Sequence, residues 1–320
     1  MVWACFGTIA LESHLVTREL HFRTLRNRCF LPNPCYDLSS LFITTTNLTL
    51  GLSGLVSLKE CLEEGFTVDV FEAQDHIGGQ WAYEVPSPEK SEVWSSVYDG
   101  VVLNSCRDTS CFSDFPLDPA RYPDFFGHRL HLKYLTEYAT HFDLMRHIQL
   151  STKVLGCKQT QEGKWIVTYL KEGGSPIEET YDALFACTGH NSFPRIPEFP
   201  GKETFKGEIL HSHVYRTPGR FEGKRVAVVG IGASAADIAC EIGPHAEELH
   251  VITRRGTWII PRYCLGKPAE AWASMSAILV RVGLNTNFEN RSSFTNGVTK
   301  FCRSMVGVAA FTLDRRRAPA

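Results

Sequence analysis

No C-x-x-C pair occurs among the 11 cysteines of this 320-residue chain, which excludes zinc ribbons and dithiol redox sites. An odd cysteine count in a chain this long is no secreted disulfide framework; it reads as reduced thiols in a cytoplasmic protein. Apolar runs never reach the ~18–20 residues of a membrane-spanning helix. Charge of one sign is missing too: 33 basic and 35 acidic side chains leave a net −2, no general field for nucleic acid or an anionic membrane. Solenoid, collagen and coiled-coil periods are absent, no metal-ligand set is expected, and nothing signals an oligomeric state. What is present is ordinary globular composition, 43% hydrophobic and 21% charged. That supports a normal core, excludes wholesale disorder and allows two domains.

Residues 1–47 read apart from the rest. They hold Arg18, Arg23, Arg26 and Arg28 and no lysine, with Glu12 and Glu19 interrupting any transit-peptide pattern. Residues 1–40 are therefore expected to be a poorly ordered leader. From Leu41 the text LFITTT is strand-like. Gly51-Leu52-Ser53-Gly54 follows, then a helical pattern on Leu55, Leu58 and Leu62 with Gly65 as its stop. Val68 to Glu72 reads as a buried strand. Residues 82–130, rich in Pro, Ser and Asp, look like a surface excursion. A helix is expected over 132–142 and strands over 165–169 and 181–187. Pro194, Pro197 and Pro200 mark a linker. A second unit runs strand 225–229, turn Gly230-Ile231-Gly232, helix 233–242, strand 249–253. From about Glu270 the pattern decays.

Two glycine turns carry the chemistry. Gly230, Gly232 and Ala235 make G-x-G-x-x-A between a strand and a helix. The first glycine forms the turn, the second admits a pyrophosphate to the backbone, and the small third residue lets helix and strand pack closely. Past the next strand stand Arg254 and Arg255 where an NAD site has a carboxylate. Arginine suits a 2′-phosphate, so the unit is expected to take NADPH. The first unit has Gly51 and Gly54, but Thr49 holds the place of its first glycine. Its acidic residue is in position: Glu72 lies 21 residues after Gly51, where a carboxylate can bond a ribose hydroxyl. The Gly78-Gly79 pair then allows close backbone approach to a ligand.

Phe205-x-Gly207-x-x-x-His211-x-x-x-Tyr215-Arg216 resembles the F-x-G-x-x-x-H-x-x-x-Y/F signature of the flavin-containing monooxygenases, the dimethylaniline monooxygenase-like proteins. Glu72 with Gly78-Gly79-Gln80-Trp81, Asn104 to Pro116 (NSCRDTSCFSDFP), and Cys187-Thr188-Gly189-His190 agree with it. The resemblance spans about 49–265. Tyr215 stands where the related Baeyer–Villiger enzymes usually carry Trp, which points to the N- and S-oxidising branch.

The resemblance implies FAD in the first unit, NADPH in the second, molecular oxygen, and a small amine or sulfur substrate. It implies a reduced flavin that captures oxygen as a C4a-hydroperoxide and oxygenates soft N- or S-nucleophiles. Carried over by motif, Gly51, Ser53, Gly54, Glu72, Gly79, Gln80, Trp81, Asn104 and Ser105 serve the flavin. Gly230, Gly232, Ser234, Ala235, Asp237, Arg254 and Arg255 serve NADPH. Asn104 is the candidate catalytic residue, a neutral amide that donates a hydrogen bond without an acidic proton. His211 and Tyr215 would organise the junction of the two units.

The expected fold is α/β, two Rossmann-like doubly wound units. The FAD-binding domain is placed at 41–207, a partial NADPH-binding domain at 208–273 and a divergent tail at 274–320. Resemblance ends near Ala273, so an incomplete C-terminal part is expected, with an exposed sheet edge and apolar surface. Two other readings compete. A dinucleotide-dependent disulfide reductase lacks its cysteine pair. A catalytically silent fragment or pseudoenzyme would bind NADPH at most.

Overall fold

The computed structural model describes residues 2–4, 40–45, 50–87, 93–189, 191–254, 256, 257, 259 and 261–270. The chain divides into two compact units, 1–257 and 258–320. In the second, Tyr263–Cys264 and Lys267–Pro268 pair as an antiparallel hairpin. Its turn residues Leu265 and Gly266 both have positive φ, the geometry that suits strand twist in a two-residue loop.

In the larger unit, Ser40–Thr45 (β2) and Thr67–Glu72 (β3) run parallel, in register from Ser40↔Thr67 to Thr45↔Glu72. The crossover between them is the helix Leu52–Glu63 (α1). Leu55, Leu58 and Cys61 are fully buried on its inner face, as their spacing requires. Gly65, at φ 82°, turns the chain back toward β3. Ile148–Gln149 (β4) and Ala183–Ala186 (β8) extend the sheet on either side of this pair, and all its neighbours are parallel. The outer strand beside β8 is Val2–Ala4 (β1). This short apolar run, expected to lie in a leader outside the fold, pairs with the free edge of β8.

Thr152–Gln159 (β5), Trp165–Lys171 (β6) and Ile177–Tyr181 (β7) form an antiparallel meander beside that sheet. One strand over 181–187 was the expectation; the run instead breaks at Asp182. Tyr181 ends β7, with its hydroxyl donating to Glu179 at 2.6 Å and Asp69 at 3.2 Å. Asp182 pairs with Lys164 at 3.2 Å. The chain then enters the parallel sheet as β8. Polar ties at this corner outweigh the local apolar pattern.

Residues 82–130 are the larger correction. Their described part is more than a surface excursion: Val97, Leu103, Phe112, Leu117, Tyr122 and Phe126 share one core with α1 and with the helix His128–His141 (α2). The stretch has no periodic pattern because it is held by main-chain bonds, such as Leu103 N–H to Phe126 O at 3.0 Å. Its scattered apolar residues each fill a hole, and polar neighbours in the text conceal them. Tyr134 of α2 fastens it further, accepting from Phe112 N–H at 2.6 Å and donating to Phe115 O at 2.7 Å.

The second dinucleotide-type element consists of Arg225–Val229 (β9), Ala233–Ile242 (α3) and Glu248–Ile252 (β10), with β9 and β10 parallel. Ile238, Ala239 and Ile242 are the buried face of α3. Among the described residues, Val229, Val251 and Ile252 leave apolar side chains exposed.

Candidate functional site

The first turn sits where β2 and β3 end. Gly51 caps α1, no side chain bonds the first N–H groups of the helix, and no acid stands in its first turn. Those orphan donors and the helix dipole suit an anion. A Cβ on Gly51 would lie 3.4 Å from Gly79 Cα, so the two glycine segments touch backbone to backbone. Gly78 has φ 126°, donates its N–H to Leu50 O at 2.8 Å, and would drive a Cβ into Leu132 of α2. Only glycine fits there. Ser53 is half-buried in the first turn of α1, and Gly54 is buried against Leu50.

Glu72, fully buried at the end of β3, accepts from Leu50 N–H with one oxygen and from Gln74 N–H at 2.6 Å with the other. A carboxylate oxygen can accept more than one donor. Gln80 accepts from Ser95 Oγ at 2.6 Å on its carbonyl and from Asn191 at 2.9 Å on its side chain. Trp81 is buried, its ring edge-on to His131 with centroids 4.6 Å apart. Thr49 and Arg255 lie outside the described residues.

Asn104 is exposed and Ser105 buried beside it, with the Ser105 Oγ 2.6 Å from that of Ser110. The loop they open is tied to α1 by a side chain that the sequence did not single out. Lys59 Nζ lies 2.6 Å from Asp114 and 2.7 Å from Glu63, with only 9% of its side chain exposed. Burial pulls its pKa down, but the bonds to Asp114 and Glu63 outweigh that and hold the ammonium above its usual range.

At the second turn Gly230, φ 121°, donates to Ile252 O at 2.8 Å. A Cβ there would stand 3.8 Å from that of Ala235, an ordinary contact, so it is the positive φ that calls for glycine. Gly232 caps α3, again with no side-chain cap and no acid in the first turn. Ser234 and Arg254 are exposed on this side. Asp237 accepts from Tyr98 OH at 3.0 Å.

The signature stretch lies between the turns. Phe205 is 59% exposed, and its ring folds over Gly207, where a Cβ would come 2.6 Å from Cζ. His211 Nδ1 accepts from His213 N–H at 3.1 Å, a cap on the turn Ser212–Val214. Burial and the neighbouring His213 lower its pKa, which keeps that nitrogen an acceptor. Tyr215 is buried against Tyr98 and Phe221 and donates to Glu241 at 2.7 Å. Burial, then the bond to Glu241, raise its pKa.

Arg216, the last residue of the signature stretch, ties several segments together. It is buried without a carboxylate at its guanidinium. It donates instead to the carbonyls of Glu84, of His213 at 2.8 Å, of Tyr215 at 2.7 Å and of Ser95 at 2.7 Å. Tyr98, Gly100 and Glu241 were missed, because only folding brings them together. Among the described residues, Cys111, Cys157 and Cys240 are free thiols. No helix among the described residues is long and apolar enough to cross a membrane.

A family model described as flavin-binding monooxygenase-like matches residues 46–290. Flavin-containing monooxygenase 5 of Rattus norvegicus is 41% identical over 218 residues, 66% of this chain and 40% of that protein. Dimethylaniline monooxygenase [N-oxide-forming] 2 of Macaca mulatta is 41% identical over 219 residues, again 66% and 40%. The chain thus spans about 40% of the length of these two relatives. Among solved structures, S-allyl-L-cysteine S-oxygenase from Allium sativum superposes with a TM-score of 0.63 at 31% identity, covering 71% of this chain and 54% of that one.

Proposed function

The chain belongs to the flavin-binding monooxygenase-like family, and from that membership we propose that it carries the FAD- and NADPH-binding parts of a monooxygenase for soft nitrogen or sulfur nucleophiles. The observation that carries this reading is the pair of glycine-capped helices, α1 and α3, each starting at the C-terminal end of a parallel strand with its first N–H groups uncapped. That arrangement fits a pyrophosphate at each turn.

FAD fits the first turn. Gly51 and the start of α1 would take its pyrophosphate, Glu72 a ribose hydroxyl, and the Gly78-Gly79 segment would let its chain lie against backbone. NADPH fits the second, with Arg254 as the 2′-phosphate partner. When bound, the nicotinamide supplies electrons and the flavin the activation of oxygen. Asn104 offers a neutral amide that donates a hydrogen bond and holds no transferable proton. The aromatic core under its loop, Phe112 with Tyr134 and Tyr138, keeps water from one side. The relatives named for N-oxide formation and for S-oxygenation support an amine or thioether as substrate class.

The test is a spectrum. The purified chain is mixed with FAD, freed of excess, and given NADPH without oxygen. A retained yellow flavin that NADPH bleaches is expected, followed on aeration by NADPH consumption that N,N-dimethylaniline or a thioether accelerates. Absence of retained flavin overturns the reading and leaves the silent, family-derived protein in its place.

A further inference from the structure

We propose that Tyr98 is a positioning residue that couples occupancy of the second glycine turn to the placement of Asn104; the inference rests on the reading of that turn as a dinucleotide site. Asp237 and Glu241 stand four residues apart on α3 and so share a face. Each takes one tyrosine hydroxyl, Asp237 from Tyr98 at 3.0 Å and Glu241 from Tyr215 at 2.7 Å. The two rings meet edge-on, centroids 5.4 Å apart. Gly100 lies directly against the Glu241 carboxylate, where a Cβ would come 2.0 Å from Oε1.

The segment 98–100 is thus held by α3 on one side. On the other it is held by the signature stretch, through Asp99 N–H to Arg216 O at 2.9 Å. Arg216 is itself immobile, with four carbonyls on its guanidinium. Four residues beyond Gly100 stands Asn104, past the bond of Leu103 N–H to Phe126 O at 3.0 Å.

Electrostatics gives the link a direction. Asp237 lies in the second turn of the helix whose N-terminus would receive phosphate, and a free carboxylate there repels an anion. The Tyr98 hydroxyl engages that carboxylate in a charge-assisted bond and holds it toward the 98–100 segment. A dinucleotide at the turn strengthens the same arrangement, so binding tightens the segment that leads to Asn104. Tyr98→Phe removes the bond and keeps the ring.

Amide hydrogen exchange with and without NADP+ tests this, alongside the NADP+ dissociation constant and retained FAD. In the wild-type chain NADP+ is expected to slow exchange over residues 97–105 severalfold. In Tyr98→Phe that protection is lost and NADP+ binds about three- to tenfold more weakly, while FAD content is unchanged. NADP+ binding with no protection of 97–105, or equal protection in Tyr98→Phe, overturns the coupling and leaves the dinucleotide reading standing. A wild-type chain that does not bind NADP+ overturns both.

Discussion

His131 is buried among aromatic rings, and neither of its nitrogens meets a hydrogen-bond partner. Burial lowers its pKa from 6.5 to about 3, so it is neutral in the fold. The unfolded chain takes a proton near pH 6.5 that the fold refuses until about pH 3. Stability present above pH 6.5 is therefore lost as pH falls toward 3, by about 1.4 kcal/mol per pH unit from this residue. His131→Leu is expected to remove that slope and to stabilise the chain at pH 7 by about 1 kcal/mol. Urea midpoints at pH 7 and pH 5 check both statements; an unchanged difference between the two pH values refutes them. Arg216 poses the opposite case. Removing its guanidinium leaves four main-chain carbonyls without a donor, and each buried orphan costs about 1–3 kcal/mol. Arg216→Met should lower stability by at least about 3 kcal/mol, read from the same denaturation curves. A loss below about 1 kcal/mol would mean that water reaches those carbonyls.

Elements meet at the Gly78-Gly79 turn and at the loop opened by Asn104. The turn works because Gly78 adopts φ 126° and lets Leu132 of α2 press against it. Gly78→Ala combines backbone strain with a steric collision. It is expected to cost about 2 kcal/mol or more and to abolish FAD retention, whereas Gly163→Ala in the exposed turn between β5 and β6, also at positive φ but free of neighbours, should leave retention intact. Gel filtration of the FAD-loaded variants measures this. The loop depends on Lys59, whose ammonium joins α1 to Asp114. Lys59→Met cuts that tie while leaving Asp114 to water, and is expected to cost about 1 kcal/mol or less and to speed proteolytic cleavage within 104–116. Lys59→Arg should restore most of the protection. Equal cleavage of all three proteins would show that the loop is held without Lys59.

At the scale of the whole molecule, β9 and β10 form, among the described residues, a two-stranded parallel sheet with Val229 60%, Val251 41% and Ile252 52% exposed. Parallel strands are normally covered on both faces, and exposed apolar strand surface promotes association. The isolated chain is expected to self-associate as concentration rises, and Ile252→Lys to reduce this. Light scattering over a concentration series decides; identical curves would assign the association to another surface.

What could be read from residue order is what local periodicity encodes. Strand β3, helices α1 and α3 and strands β9 and β10 follow from alternation and three-to-four spacing, and the glycine turns from the residues that only they tolerate. Both dinucleotide-type turns, and the family signature around His211 and Tyr215, were therefore legible without a fold. The break at Asp182 was not, because it is set by Tyr181 reaching Asp69, 112 residues away. Nor was the burial of Val97, Leu103, Phe112, Leu117, Tyr122 and Phe126, single apolar anchors without a period that fill holes left by α1 and α2. Tyr98 meeting Asp237, 139 residues on, and the four carbonyls around Arg216 belong to the same class. These are hydrogen bonds between segments that carry no mutual signal in sequence. Sequence alone determined where glycine turns lead from strand into helix; only tertiary packing decided what joins those turns, because a buried donor takes its partner from whatever backbone folding delivers.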